Sequence, residues 1–304
     1  MHRVRLLRHH KIVPYIVFDG GPLPAKRGTD SERKKRREEN LALANKLAAE
    51  GKHAQAREYY AKCVDVTTEM AYQLIKVALE VSPYICSDLI LQALRADGIQ
   101  YVVAPYEADA QLAYLERVGI VDGILTEDSD LLVFGCQNVL FKLDSATAMV
   151  TSISRSDFGS VTAADGGISL IGWSDVQFRA MAILSGCDYL ASIPGIGLKT
   201  AWSLLRKYKT VEKVIRAIML EGKKEVPPDY LDSFKLVEKV FLHQRVYDPR
   251  TERLVHLTDL PEGEELDGET RESAGRYVFL HHLFTRGWSV HRLRSSGYPA
   301  GRLN

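Results

Sequence analysis

Short, β-rich apolar runs recur along this chain, and each leads into acidic residues. Residues 12–18 (IVPYIVF) run into Asp19-Gly20-Gly21. Residues 101–104 (YVVA) stop at Pro105, just before Glu107 and Asp109. Residues 120–125 lead into a third strand that is followed by Asp128 and Asp130. A fourth strand is expected over 139–143. Helical patterns lie between and beside them: 31–49, capped by Asp30 or Ser31 and broken at Gly51, then 54–76, then an amphipathic stretch over 107–118. This alternation predicts an α/β fold with a mostly parallel central sheet and flanking helices. From Val176 onward the pattern turns helical, through VQFRAMAILSG, KTAWSLLRKY, TVEKVIRAI and 234–243.

The acidic residues matter because of where this topology puts them. The carboxyl ends of parallel strands open on one crevice, so loops far apart in sequence share a site. Asp188, in LSGCDYL at the end of an apolar helix, joins the set. A single Asp after a strand is usually a turn former or a helix cap, and an acidic pair at a helix start also suits the helix dipole. Repetition at equivalent places is what points further. Carboxylates crowded together raise one another's pKa unless a cation neutralises them. Hard oxygen donors suit Mg²⁺, with Mn²⁺ as an alternative, and two such ions about 4 Å apart activate water against a phosphodiester.

The net charge of +1 hides a cationic segment. Between Lys26 and Arg37, KRGTDSERKKRR carries seven cations against two anions. Lys and Arg on an exposed helix are usually a solvated face. Here Lys26, Arg33 and Arg37 fall near one helical face, a spacing suited to a phosphate backbone. Farther on, Gly195-Ile196-Gly197 precedes a helix that carries Lys199 and Thr200. Such a turn presents backbone N–H groups to an anion, reinforced by the helix dipole. Four scattered cysteines (Cys63, Cys86, Cys136, Cys187) form no CxxC pair, which argues against a disulfide framework or a zinc site. No run of 18 apolar residues is long enough to cross a membrane, and the basic start lacks the apolar stretch of a secretory signal.

Taken together, YIVFDGGPLPAK, APYEADAQLAYL, ILTEDSDLLVFG and LSGCDYLASIPGIGLKTA resemble the flap endonuclease superfamily, on its eukaryotic exonuclease-I branch. The resemblance implies that Asp19, Glu107, Asp109, Asp128, Asp130 and Asp188 are metal-site carboxylates for two Mg²⁺ ions. It implies that Lys26 and Arg33 are catalytic cations at the base of a helical arch spanning 26–76, with Arg37 continuing the basic face. Gly195, Gly197 and Lys199 would belong to a helix–two-turn–helix that grips duplex DNA, with K⁺ held near Ser185, Ser192 and Ile196. The implied activity is 5′ to 3′ hydrolysis of DNA and cleavage of 5′ flaps in mismatch repair and recombination, in the nucleus. DNA ends, flaps, nicks and gaps are the expected partners, together with mismatch-repair proteins.

The expected organisation is a nuclease core over 1–175, a helical region over 176–277, and a divergent tail over 278–304. Against the family pattern, the first strand and its aspartate are expected to be missing before Met1. Residues 77–92 interrupt a join that otherwise reads QLIK-ALRADGIQ. The terminal Val and Gln of that insert fit codons beginning GT and ending AG, so it reads as an unspliced in-frame intron. The three departures together are read as a faulty gene model. The alternatives are a DNA-binding fragment without turnover, and a sibling flap endonuclease or junction resolvase sharing the same site.

Overall fold

The computed structural model describes residues 2–64, 98–161 and 167–275. The chain opens with helix α1 (His2–His9), which leads to strand β1 (Tyr15–Phe18). A 3₁₀ turn (Pro24–Lys26) runs straight into the long helix α2 (Arg27–Ala49). Pro24 at the head of that turn presets the helical φ, so α2 starts with no side-chain cap. Asp30 and Ser31, expected as caps, lie inside the first two turns instead. Gly51, at φ +76°, reverses the chain, and α3 (His53–Ala61) packs back along α2. The Tyr60 hydroxyl donates to Asn45 Oδ1 across this pair at 2.7 Å.

Strand β2 (Gln100–Val103) lies parallel to β1, pairing Tyr15 with Gln100 and Phe18 with Val103. Because the register is even, both strands end at the same level, and their following loops emerge side by side. Helix α4 (Ala108–Arg117) follows β2 and is closed by Gly119 at φ +70°. Strand β3 (Ile124–Leu125) pairs in parallel with β4 (Asn138–Phe141), on either side of the short helix α5 (Asp130–Val133). β4 then pairs antiparallel with β5 (Thr151–Ser154).

The remainder is mainly helical: α6 (Asp175–Ser185), α7 (Leu198–Tyr208), α8 (Val211–Glu221) and α9 (Tyr230–His243). Ser174 and Gln177 form a capping box that starts α6, and Thr210 caps α8. The hairpin β6 (Arg245–Asp248) and β7 (Arg253–His256) and the short helix α10 (Gly268–Ser273) complete the described chain.

The single, mostly parallel central sheet expected from the sequence is corrected here. Among the described residues the strands form three small sheets, two of them containing a parallel pair, with antiparallel pairing at β4–β5 and β6–β7. β3 is two residues long and bonds only to β4, so the two parallel pairs are not stitched into one ladder. The sequence reading also missed β5 and the β6–β7 hairpin. Residues 65–76 of the expected arch, the 77–92 insert, Cys86 and the 278–304 tail lie outside the described residues.

One continuous core runs through the α/β layer and the helical region. Ala110, Ile124, Leu131 and Val139 pack in the same buried cluster as Ile183, Val214, Phe241 and Leu257. A fully buried polar link adds to it. Gln111 on α4 donates from Nε2 to the Tyr247 carbonyl at 2.8 Å and accepts from the Tyr247 N–H at 2.8 Å, fastening α4 to the outer edge of β6.

Candidate metal and DNA site

The even register of β1 and β2 places Asp19 beside the start of α4. Asp19 Oδ1 accepts from the Ala108 N–H at 2.8 Å, so it caps α4 from a different strand. Gly20 permits the approach: its N–H donates to the Tyr106 carbonyl at 2.6 Å, and a Cβ there would sit 1.8 Å from the Ala104 carbonyl oxygen. Glu107 is at the N-cap position of α4, and Asp109 is in its first turn. After β3, Asp128 Oδ1 accepts from the Asp130 N–H at 2.9 Å, an Asx turn that opens α5. Asp188 comes from the loop after α6.

The base of α2 closes over these loops. Lys26 Nζ lies 2.8 Å from Glu107 Oε1 and 2.8 Å from Asp188 Oδ2. Arg33 donates from one nitrogen to Asp188 Oδ1 at 2.9 Å and Oδ2 at 3.0 Å. The Thr29 hydroxyl donates to the Asp188 backbone carbonyl. Tyr189 donates its hydroxyl to Glu107 Oε2, which also accepts from Gln244 Nε2 at 3.2 Å. Thr29, Tyr189 and Gln244 were not singled out from the sequence. Only Tyr189 carried a signal, as the neighbour of Asp188 in SGCDY.

Electrostatics tie the six carboxylates together. Burial pushes the Asp109 carboxyl up to about 7, helped by the charges of Asp128, Glu107, Asp19 and Asp130. Burial likewise raises Asp130 to about 6, with Asp128, Asp188 and Glu107 adding to the rise and Lys26 opposing it. Burial also works against the charged form of Asp188, but Lys26 and Arg33 hold its carboxyl below the usual range. Burial disfavours the charged Lys26 ammonium too, yet Glu107 and Asp188 outweigh it and raise its pKa.

Among the described residues, no three of these side chains converge closely enough to ligate one ion as they stand. Their engagements explain why. Asp19 caps α4, Asp128 is folded onto Asp130, and the Lys26 ammonium bridges Glu107 and Asp188. The donor set nonetheless fits hard divalent cations: all are carboxylate oxygens, and beyond burial the neighbouring carboxylates raise Asp109 and Asp130, a repulsion that a cation would relieve.

The second cluster lies in the connection from α6 to α7, which makes two turns. Cys187 and Leu190 exchange backbone hydrogen bonds at 2.9 and 3.2 Å, and the Ile196 N–H donates to the Ile193 carbonyl at 2.8 Å. Gly195, Gly197 and Lys199 are exposed, whereas Ile196 is buried. α7 begins at Gly197 without a side-chain cap. Ser192 packs against Gly186, and the Ser185 hydroxyl donates to the Ala182 carbonyl at 2.7 Å. Arg37 lies farther along α2, and its carbonyl accepts from the Cys63 thiol at 3.5 Å.

Residues 1–40 match the XPG N-terminal domain and residues 98–188 match the XPG I-region, which holds five of the six carboxylates. The chain belongs to the flap endonuclease superfamily. Among curated members of this superfamily, exodeoxyribonuclease 1 of Schizosaccharomyces pombe is 46% identical over 258 residues, covering 85% of this chain and 41% of that protein. Exonuclease 1 of Arabidopsis thaliana is 44% identical over 269 residues, covering 88% of this chain and 34% of that protein. The chain thus spans less than half the length of these two relatives. The fold also resembles a solved catalytic core of Rad2 in complex with DNA substrate, with a TM-score of 0.53 at 20% identity, covering 84% of this chain and 73% of that one.

Proposed function

We propose that this chain is the catalytic core of a divalent-metal-dependent 5′ nuclease, which hydrolyses DNA from 5′ ends and cuts 5′ flaps. The observation that carries the reading is the gathering of six carboxylates, from four separate chain segments, beneath the cationic base of α2. Asp19, Glu107, Asp109, Asp128, Asp130 and Asp188 would hold two Mg²⁺ ions, or Mn²⁺, which supply an activated water and neutralise the leaving oxygen.

The chain's own side chains do the rest. Lys26 and Arg33 neutralise Glu107 and Asp188, so a phosphate entering beside those carboxylates would meet both cations. There they would stabilise charge developing on the scissile phosphate. Tyr189 and Gln244 fix Glu107, and Thr29 fixes the base of α2 to the Asp188 loop. α2 and α3 would form the arch, with Arg37 extending its phosphate-facing side. Gly195, Gly197 and Lys199 would grip duplex backbone, in the helical region distinguished from the nuclease core at residue 175. The Ser185 hydroxyl donates to the Ala182 carbonyl and keeps its oxygen lone pairs for a K⁺ ion near Ser185, Ser192 and Ile196. Terminal bases must unpair to reach the carboxylates, at a cost of a few kcal/mol that phosphate contacts offset. By kinship with the exonuclease 1 relatives, the reading extends to mismatch repair and recombination in the nucleus.

A second reading, a DNA-binding fragment without turnover, is favoured by the Lys26 bridge across Glu107 and Asp188. The test is Mg²⁺-dependent release of 5′-terminal nucleotides from duplex DNA. Loss of release in Asp128→Ala with duplex binding intact supports the nuclease. Wild-type protein that binds duplex and never cuts overturns it in favour of the second reading.

A further inference from the structure

Lys224 belongs to neither cluster by sequence, yet it touches one of them. It lies between α8, which ends at Gly222 in the left-handed conformation, and the start of α9. Its Nζ donates to the Gly195 carbonyl at 3.1 Å and to the Pro194 carbonyl at 3.3 Å. Gly195 has φ +77°, and a Cβ built there would lie 2.4 Å from that same ammonium. The ammonium therefore occupies space that any other residue at position 195 would fill.

This contact has a directional consequence. In a trans peptide the C=O and N–H point in opposite directions. Holding the Pro194 carbonyl against Lys224 turns the Gly195 N–H away from it. The Ile196 N–H is already bonded to Ile193, and among the described residues α7 opens without a side-chain cap on its first N–H groups. Gly195 through Lys199, apart from buried Ile196, is exposed. We infer that Lys224 is a positioning residue: through the carbonyls of Pro194 and Gly195, it sets the exposed amides at the head of α7 for a DNA phosphate. The inference rests on the duplex-gripping role proposed above and assigns Lys224 no phosphate contact of its own.

The test is fluorescence anisotropy of a labelled nicked duplex with the full chain in EDTA, where binding is read without cutting. Lys224→Met is expected to weaken binding about tenfold, as for loss of a hydrogen bond from a charged donor. The slope of log Kd against log salt should stay at the wild-type value, since no phosphate contact is lost. A slope shallower by about 0.9 would mean that Lys224 itself meets a phosphate, and would overturn the inference. Lys224→Gln, which removes the charge but keeps a polar head, serves if Lys224→Met does not fold; it too should weaken binding. Unchanged binding in these variants beside a wild type that binds overturns the Lys224 assignment alone. Wild-type protein that fails to bind duplex overturns the nuclease reading as well.

Discussion

Replacing Gln111 with Leu probes how the carboxylate-bearing helix is held. Gln111 is fully buried, and its amide satisfies both the N–H and the carbonyl of Tyr247 at 2.8 Å. Leucine matches its bulk but leaves two buried backbone groups unpaired. At about 1–3 kcal/mol for each stranded group, the expected destabilisation is about 2–6 kcal/mol. For a chain of this size that corresponds to a fall in melting temperature of roughly 5–20 °C. Guanidinium titration at fixed pH, followed by circular dichroism, measures it directly. Gln111→Glu keeps an acceptor for the Tyr247 N–H but sets a carboxylate oxygen against the Tyr247 carbonyl, so it should be at least as damaging. Glu107 and Asp109 sit at the head of the same helix, so the Leu variant should also show a smaller Mg²⁺-induced rise in melting temperature. A Leu variant within about 1 kcal/mol of wild type would refute the reasoning, because Tyr247 would then be finding other partners.

Charge removal at Lys26 or Arg33 should lower kcat by about 10²–10³ and weaken duplex binding far less; equal losses in single-turnover rate and in Kd would contradict their placement at the scissile phosphate. In EDTA, thermal stability should fall as pH rises from about 4 to about 7. Asp109 and Asp130 are protonated more readily folded than unfolded, so the native state holds the extra protons across that window and loses the advantage above it. Asp109→Asn should flatten this dependence, and a wild-type melting temperature that is level from pH 4 to 8 would rule it out. Gly20→Ala, whose Cβ would lie 1.8 Å from the Ala104 oxygen, should separate the β1 and β2 loops; nuclease activity and melting temperature should both drop, and a variant indistinguishable from wild type in both would count against that packing.

Much of the site was legible because strand endings and carboxylates coincide in the sequence. Residues 12–18 and 101–104 are apolar enough to be read as strands, and the parallel register of β1 and β2 then brings Asp19 to Glu107 and Asp109. What escaped the reading depends on partners remote in sequence. Thr29, Gln244 and Lys224 are ordinary polar residues whose importance comes only from the carbonyl or carboxylate that each meets. The β6–β7 hairpin was illegible for another reason: RVYD and RLVH are four residues each and mix charge with apolar groups, too short for a clear alternation. The sheet was overread because β3, expected to extend well before Leu125, forms only two ladder residues.

The shared core carries a consequence for where a strand would be cut. Asp188 and the Gly195 turn lie on one connection between α6 and α7, and that connection is anchored at both ends in a single packed cluster. On the proposed reading, the clamp on the duplex and the cutting centre form a rigid caliper. Its opening, set by a stretch of backbone rather than by base identity, would dictate how many nucleotides separate the held phosphate from the severed one, so lengthening that loop should change product size before it changes sequence preference.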